Sequence, residues 1–141
     1  MQNHRLTGQC LCTTIQFAVD GPDKGCAHCH CESCRRAHGA PMVTWVVMAD
    51  TGFEIVTGKI TWYESSPGTE RGFCDICGTT MFFRSKRCPG EIHIARANLL
   101  GELDIRPAYH VFYDQRAGWW STEDKLTILN SDSPELARYQ D

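Results

Sequence analysis

The 141-residue chain carries a net charge of −3 with ordinary apolar and charged fractions, which suits one soluble domain, residues 1–141, with its own core. That balance provides no basic field for nucleic acid, and no apolar run approaches the roughly 20 residues of a membrane helix. The start, Met1-Gln2-Asn3-His4-Arg5-Leu6-Thr7, lacks a signal-peptide core, so the expected location is cytoplasmic, where nine cysteines point to metal rather than to disulfides.

In chain order, the first expected element is a long alternating strand opened by Gly8-Gln9-Cys10-Leu11-Cys12. Leu11, Thr13, Ile15, Phe17 and Val19 alternate with Cys12, Thr14, Gln16 and Asp20. Asp20-Gly21-Pro22-Asp23-Lys24-Gly25 is a turn by composition. Cys29-His30-Cys31-Glu32-Ser33-Cys34 then runs into a short helical turn stopped by Gly39 and Pro41. Strands are expected over 42–48, 53–56, 59–64, 79–84, 91–95 and 108–113, with a helical turn at 98–101 and a capped helix at 133–138. Many short strands punctuated by Gly and Pro indicate an all-β domain.

Cysteine spacing carries the chemistry. A tetrahedral zinc holds thiolates at about 2.3 Å, so neighbouring sulfurs lie about 3.8 Å apart. Cys10-x-Cys12 is an extended pair and Cys74-x-x-Cys77-Gly78 a knuckle; together they supply four thiolates that close a zinc shell. The ion would pin the start of the chain to its middle, and its binding energy would act as folding energy. Cys29, Cys31 and Cys34 form a second group of only three. An open fourth corner marks a catalytic zinc, able to take a thiol, carbonyl or water. Cys26, three residues upstream, offers the competing closed site, and His28 and His30 are also within reach along the chain. Spacing leaves both alternatives standing.

These residues resemble the glutathione-dependent formaldehyde-activating enzyme family, which also includes centromere protein V. The likeness runs through the two cysteine stretches above, through Gly39-Ala40-Pro41, and through Ser65-Ser66-Pro67-Gly68-Thr69-Glu70-Arg71-Gly72-Phe73-Cys74-Asp75-Ile76-Cys77-Gly78-Thr79, and returns at His110-Val111-Phe112 and Gly118-Trp119. It implies a β-tent fold of antiparallel sheets, a structural zinc on Cys10, Cys12, Cys74 and Cys77, and a catalytic zinc on Cys29, Cys31 and Cys34. It also implies a carbon–sulfur lyase-type activity, the condensation of formaldehyde with glutathione to S-hydroxymethylglutathione. Zinc at two sites and glutathione as co-substrate follow. The expected partners are a small thiol and an aldehyde, with no nucleic acid and no membrane.

The competing function is a non-catalytic zinc-stabilised binding module, similar to the accessory proteins of small GTPases that share the β-tent fold. A bond from Cys26 to the second zinc would favour it. Arg35 and Arg36 either offset thiolate charge or sit exposed on a turn. His30, between two ligands, is turned away from the metal by strand alternation. His38 is expected in solvent, with a general base as its alternative role; Trp45, Trp62, Trp119 and Trp120 are expected in the core or on a sheet face; and Arg71 and Arg84 are expected on the surface, with a grip on a glutathione carboxylate as their alternative. Cys88 lies outside both cysteine groups.

Overall fold

A computed structural model describes residues 5–140, so the first four residues of the opening stretch lie outside the described part. The chain forms strands β1 (Arg5–Gln9), β2 (Gln16–Asp20), β3 (Gly25–Cys29), β4 (Val43–Ala49), β5 (Phe53–Thr57) and β6 (Thr61–Ser66). It continues with β7 (Thr69–Phe73), β8 (Thr80–Ser85), β9 (Glu91–Ala95), β10 (Tyr109–Val111) and β11 (Thr127–Leu129). One α-helix, α1 (Glu32–His38), and short 3₁₀ segments complete the described elements. The protein is therefore all-β in class.

The strands build two sheets, one in the order β1-β2-β5 and an eight-stranded one in the order β11-β10-β3-β4-β9-β8-β7-β6. Most ladders are antiparallel, as the family resemblance implies, but β10 runs parallel to both β3 and β11. Those partners are distant in sequence, and a parallel pair needs a long crossover rather than a hairpin turn. The chain from α1 through β9 makes the crossover between β3 and β10, and the segment between Val111 and Thr127 makes the one between β10 and β11.

Alternation divides the large sheet into two working faces. Cys26, Val46, Met48, Ile92, Ile94 and Phe82 point to one side and pack on Leu6, Ile15, Phe17 and Val19 of the small sheet. Phe17 meets Phe82 edge-on, with ring centroids 4.9 Å apart. Gly8 permits this contact, since a Cβ there would stand 2.2 Å from the Phe17 ring. The other face carries Cys29, Val43, Trp45 and Ala95, covered by α1 and by Leu136 of the 3₁₀ segment Pro134–Tyr139.

Several expected elements differ, among them the capped helix expected at 133–138, which is a 3₁₀ segment whose Ser133 makes no side-chain cap, and the helical turn expected after Cys34, which begins at Glu32. The long alternating strand is a hairpin: Ile15, Phe17 and Val19 are buried, but Leu11 is 82% exposed and Thr13 takes φ 66°. A period of two persists across a tight turn, so pattern alone does not mark the break. The strand expected over 108–113 stops at Val111, because Phe112 adopts φ 53° and a 3₁₀ turn follows. The helical turn expected at 98–101 lies two residues earlier, at Arg96–Asn98.

Candidate metal centre and cavity

Cys10 and Cys12 sit in the loop of the β1–β2 hairpin, and Cys74 and Cys77 in the turn between β7 and β8. The four sulfurs lie within 4.8 Å of one another, with Cys10–Cys12 at 3.7 Å and Cys12–Cys74 at 3.9 Å. Those separations match the roughly 3.8 Å edge of a zinc–thiolate tetrahedron. The loop and the turn are also sewn together by the Leu11 amide, which donates to Thr79 Oγ1 at 3.1 Å. The Cys77 thiol is drawn down to about 5, chiefly by the Thr79 hydroxyl, while burial pushes Cys10 up to about 11.

The second group spans a strand end and a helix start. Cys29 closes β3, Cys31 is the N-cap of α1, and Cys34 lies buried in that helix. Cys31 Sγ accepts the Cys34 amide at 3.3 Å, satisfying a donor that a helix start leaves free. Gly39, at φ 59°, ends the helix in the left-handed conformation that favours glycine. The three sulfurs lie within 4.8 Å of one another, and no fourth His, Cys, Asp or Glu among the described residues joins all three.

Cys26 does not close this site. An odd step along β3 separates it from Cys29, so it faces the opposite way and packs in the core between the sheets. His28 is engaged elsewhere, with Nδ1 2.8 Å from Thr44 Oγ1. His30 is fully buried and turned from the sulfurs, its Nε2 2.8 Å from His110 Nδ1; His110 Nε2 lies 3.0 Å from Asp124. Burial and the neighbouring histidine hold His30 down at about 4, so it is a neutral imidazole.

Two donors that sequence patterning assigned to core or surface address Cys34 directly. Trp45 Nε1 donates to its sulfur at 3.4 Å, and Arg71 Nη1 at 3.5 Å. Arg71 is 7% exposed and lies over the Phe83 ring, contrary to the surface position expected for it. Hydrogen bonds from Cys29 and Cys31, reinforced by Arg71 and Trp45, hold the Cys34 thiol well below its ordinary value. Cys29, by contrast, is raised well above it by the two neighbouring sulfurs and by burial. A cation within the trio would relieve that crowding of negative charge.

The remaining expectations divide. His38 is part-exposed rather than fully in solvent; its ring meets Trp45 edge-on and its Nε2 is buried without a partner. Arg35 donates to the Gln115 carbonyl at 2.7 Å, whereas Arg36 is exposed and 3.8 Å from Glu32. Arg84 is a surface residue paired with Glu70 at 2.9 Å and stacked on Trp62. Trp119 is exposed and Trp120 packs beside His30. Cys88 stands outside both cysteine groups, as expected, but it faces Glu91 and His93.

A cavity of about 600 Å³ opens beside Cys29, Cys31 and Cys34. Its floor is the outer face of the large sheet, contributed by Trp45, Val47, Arg71, Phe83 and His93, with Leu136 and Tyr139 at its edge. That size falls within the roughly 300–1,000 Å³ of small-molecule sites.

An all-β scaffold with one closed four-cysteine cluster and one three-cysteine cluster beside a cavity defines a class of protein suited to holding zinc. The profile of the glutathione-dependent formaldehyde-activating enzyme family matches residues 5–115, and the chain belongs to that family. It is 33% identical over 78 residues to an uncharacterized lyase of Schizosaccharomyces pombe, a match covering 54% of this chain and 55% of the relative. The chain thus spans about half the length of that curated relative. A crystal structure of a Rhodobacter sphaeroides protein superposes with a TM-score of 0.59 at 22% identity, covering 70% of this chain and 91% of the other, a likeness of fold. No helix among the described residues is long and apolar enough to cross a membrane.

Proposed function

We propose that this chain is a zinc-dependent carbon–sulfur lyase-type enzyme that joins formaldehyde, or a related small aldehyde, to the thiol of glutathione, or cleaves such an adduct. The observation that carries this reading is the three-cysteine cluster, which meets a cavity of about 600 Å³ and lacks a fourth protein ligand among the described residues. Family membership supports glutathione and formaldehyde as partners, and the lyase name of the yeast relative points to the same class of reaction. We assign Cys10, Cys12, Cys74 and Cys77 to a structural zinc and Cys29, Cys31 and Cys34 to a catalytic one. The two sit in a single cytoplasmic domain of the β-tent type.

The residues present fit such an ion. Three sulfurs converge, Cys34 is already favoured as a thiolate, and Arg71 offsets part of the charge that remains once a dication is bound. When bound, zinc supplies a Lewis-acid position at which a thiol loses its proton near neutral pH. The chain's own part is to orient and enclose. Trp45 and Arg71 fix the Cys34 sulfur from one side, and the N-cap geometry of α1 fixes Cys31 from the other. Phe83, Leu136 and Tyr139 wall the cavity, where a tripeptide loses bulk water around its sulfur.

In the condensation, the S–C bond forms as the aldehyde π bond opens, and the thiol proton ends on the new hydroxyl of S-hydroxymethylglutathione. A bond from Cys26 to the second metal would favour the binding-module alternative, and Cys26 faces the opposite core. The test follows adduct formation from formaldehyde and glutathione with zinc-loaded protein, with Cys31→Ser and with buffer. Acceleration by the parent alone is expected. Equal rates in all three would remove the enzyme reading.

A further inference from the structure

We propose that Cys88, Glu91 and His93 form a third metal site, one for a divalent transition ion of zinc-like softness. Glu91 and His93 alternate onto the same face of β9, and Cys88 reaches them from the turn that precedes the strand. One donor atom from each lies within 4.8 Å of the others, and His93 Nε2 is 3.0 Å from Glu91 Oε1. Bonds of about 2.0–2.3 Å around a tetrahedral ion place neighbouring donors roughly 3.2–3.8 Å apart, so the trio closes on an ion with small side-chain shifts. All three residues are buried, with no more than 7% exposure.

The surroundings suit a ligating carboxylate. Arg138 pairs with Glu91 Oε2, while Oε1 faces His93 Nε2 at 3.0 Å and accepts from the Tyr139 hydroxyl at 3.4 Å, contacts that a bound ion would replace. Holding a ligating carboxylate by its second oxygen is how outer contacts orient such a ligand. One sulfur, one imidazole and one carboxylate select zinc-like ions over magnesium or calcium, which prefer oxygen alone.

This site is independent of the two cysteine clusters. The test counts zinc bound to the full chain by native mass spectrometry under a buffer that holds micromolar free zinc. Three equivalents are expected for the parent, and two for Cys88→Ser and for His93→Gln. The cobalt-substituted spectrum of the four-cysteine site serves as the check that each variant is folded. Cys31→Ser should lose a different equivalent, so that Cys31→Ser combined with Cys88→Ser retains one. Folded Cys88→Ser and His93→Gln proteins that keep the parent's count, whatever that count is, would overturn the third site. An unchanged count in Cys31→Ser would count instead against the proposed catalytic zinc.

Discussion

Arg71 approaches Cys34 from β7, 37 residues further along the chain, and its guanidinium is buried against the sulfur at 3.5 Å. A buried cation beside a three-thiolate ligand set lowers the cost of concentrating negative charge there. Arg71→Gln keeps a hydrogen-bonding side chain and removes the charge. Its expected effect is a loss of about 10–100-fold in metal affinity at the three-cysteine site, read by competition with a chromophoric chelator, with the four-cysteine site unchanged. Trp45→Phe removes a neutral donor and should cost less. His30 gives a pH signature of its own. Its folded value of about 4 lies below the ordinary 6.5, so its contribution to stability is complete above 6.5 and is lost as pH falls toward 4. Metal loss from the thiolates occurs in both proteins as acid is added, so the comparison of His30→Gln with the parent isolates the histidine. Denaturant midpoints should fall less steeply between about 6.5 and 4 in the variant; parallel slopes would show that the His30 pair carries no such linkage.

Helix α1 and the strand before it are the elements that aim the three sulfurs. The end of the helix is readable in advance, because Gly39 and Pro41 stop it, but its start is not: the helical turn is expected after Cys34, whereas α1 begins at Glu32 and Cys31-x-x-Cys34 spans its first turn. Gly39 has nothing within 4 Å of its Cβ position, so Gly39→Ala suffers only from its φ of 59°. A destabilisation of about 1–2 kcal/mol is expected, seen as a lower denaturant midpoint at an unchanged slope. Cys26 tests the strand. Facing the core between the sheets, it should accept valine with full zinc content at the three-cysteine site; loss of an equivalent in Cys26→Val would place that thiol on the metal after all. What the sequence hid at this scale has a common physical origin. Cys10-Leu11-Cys12 keeps the period of a strand while forming a hairpin loop, since cysteines drawn to one point need no continuous ladder. Trp45 lies in an expected buried strand and Arg71 in β7, a strand the sequence pattern does not mark, and no local pattern says which residue lies above which in the finished sheet. Their convergence on Cys34 comes from the strand order β3-β4-β9-β8-β7, in which neighbours in space are distant in sequence.

Across the whole molecule, the two cysteine clusters, loaded with zinc as proposed, would do different mechanical work. The first ties the β1–β2 loop of the small sheet to the β7–β8 turn of the large one, closing a chain loop of more than 60 residues. The second gathers ligands from six consecutive residues that a strand end and a helix cap already hold in place. A clip across a long loop removes much more freedom from the unfolded chain than one across a short, preordered segment. By the loop-closure relation the first amounts to about 4 kcal/mol, on the order of 10 °C in melting temperature for a chain of this size. Cys77→Ser should therefore lose one zinc and melt on the order of 10 °C lower, whereas Cys31→Ser should lose one zinc and melt within a few degrees of the parent. Scanning calorimetry of both variants, each with its metal content measured, separates scaffold from site. A Cys31→Ser protein destabilised as much as Cys77→Ser would mean that the three-cysteine cluster is a second staple, and that the cavity beside it is not where chemistry is done.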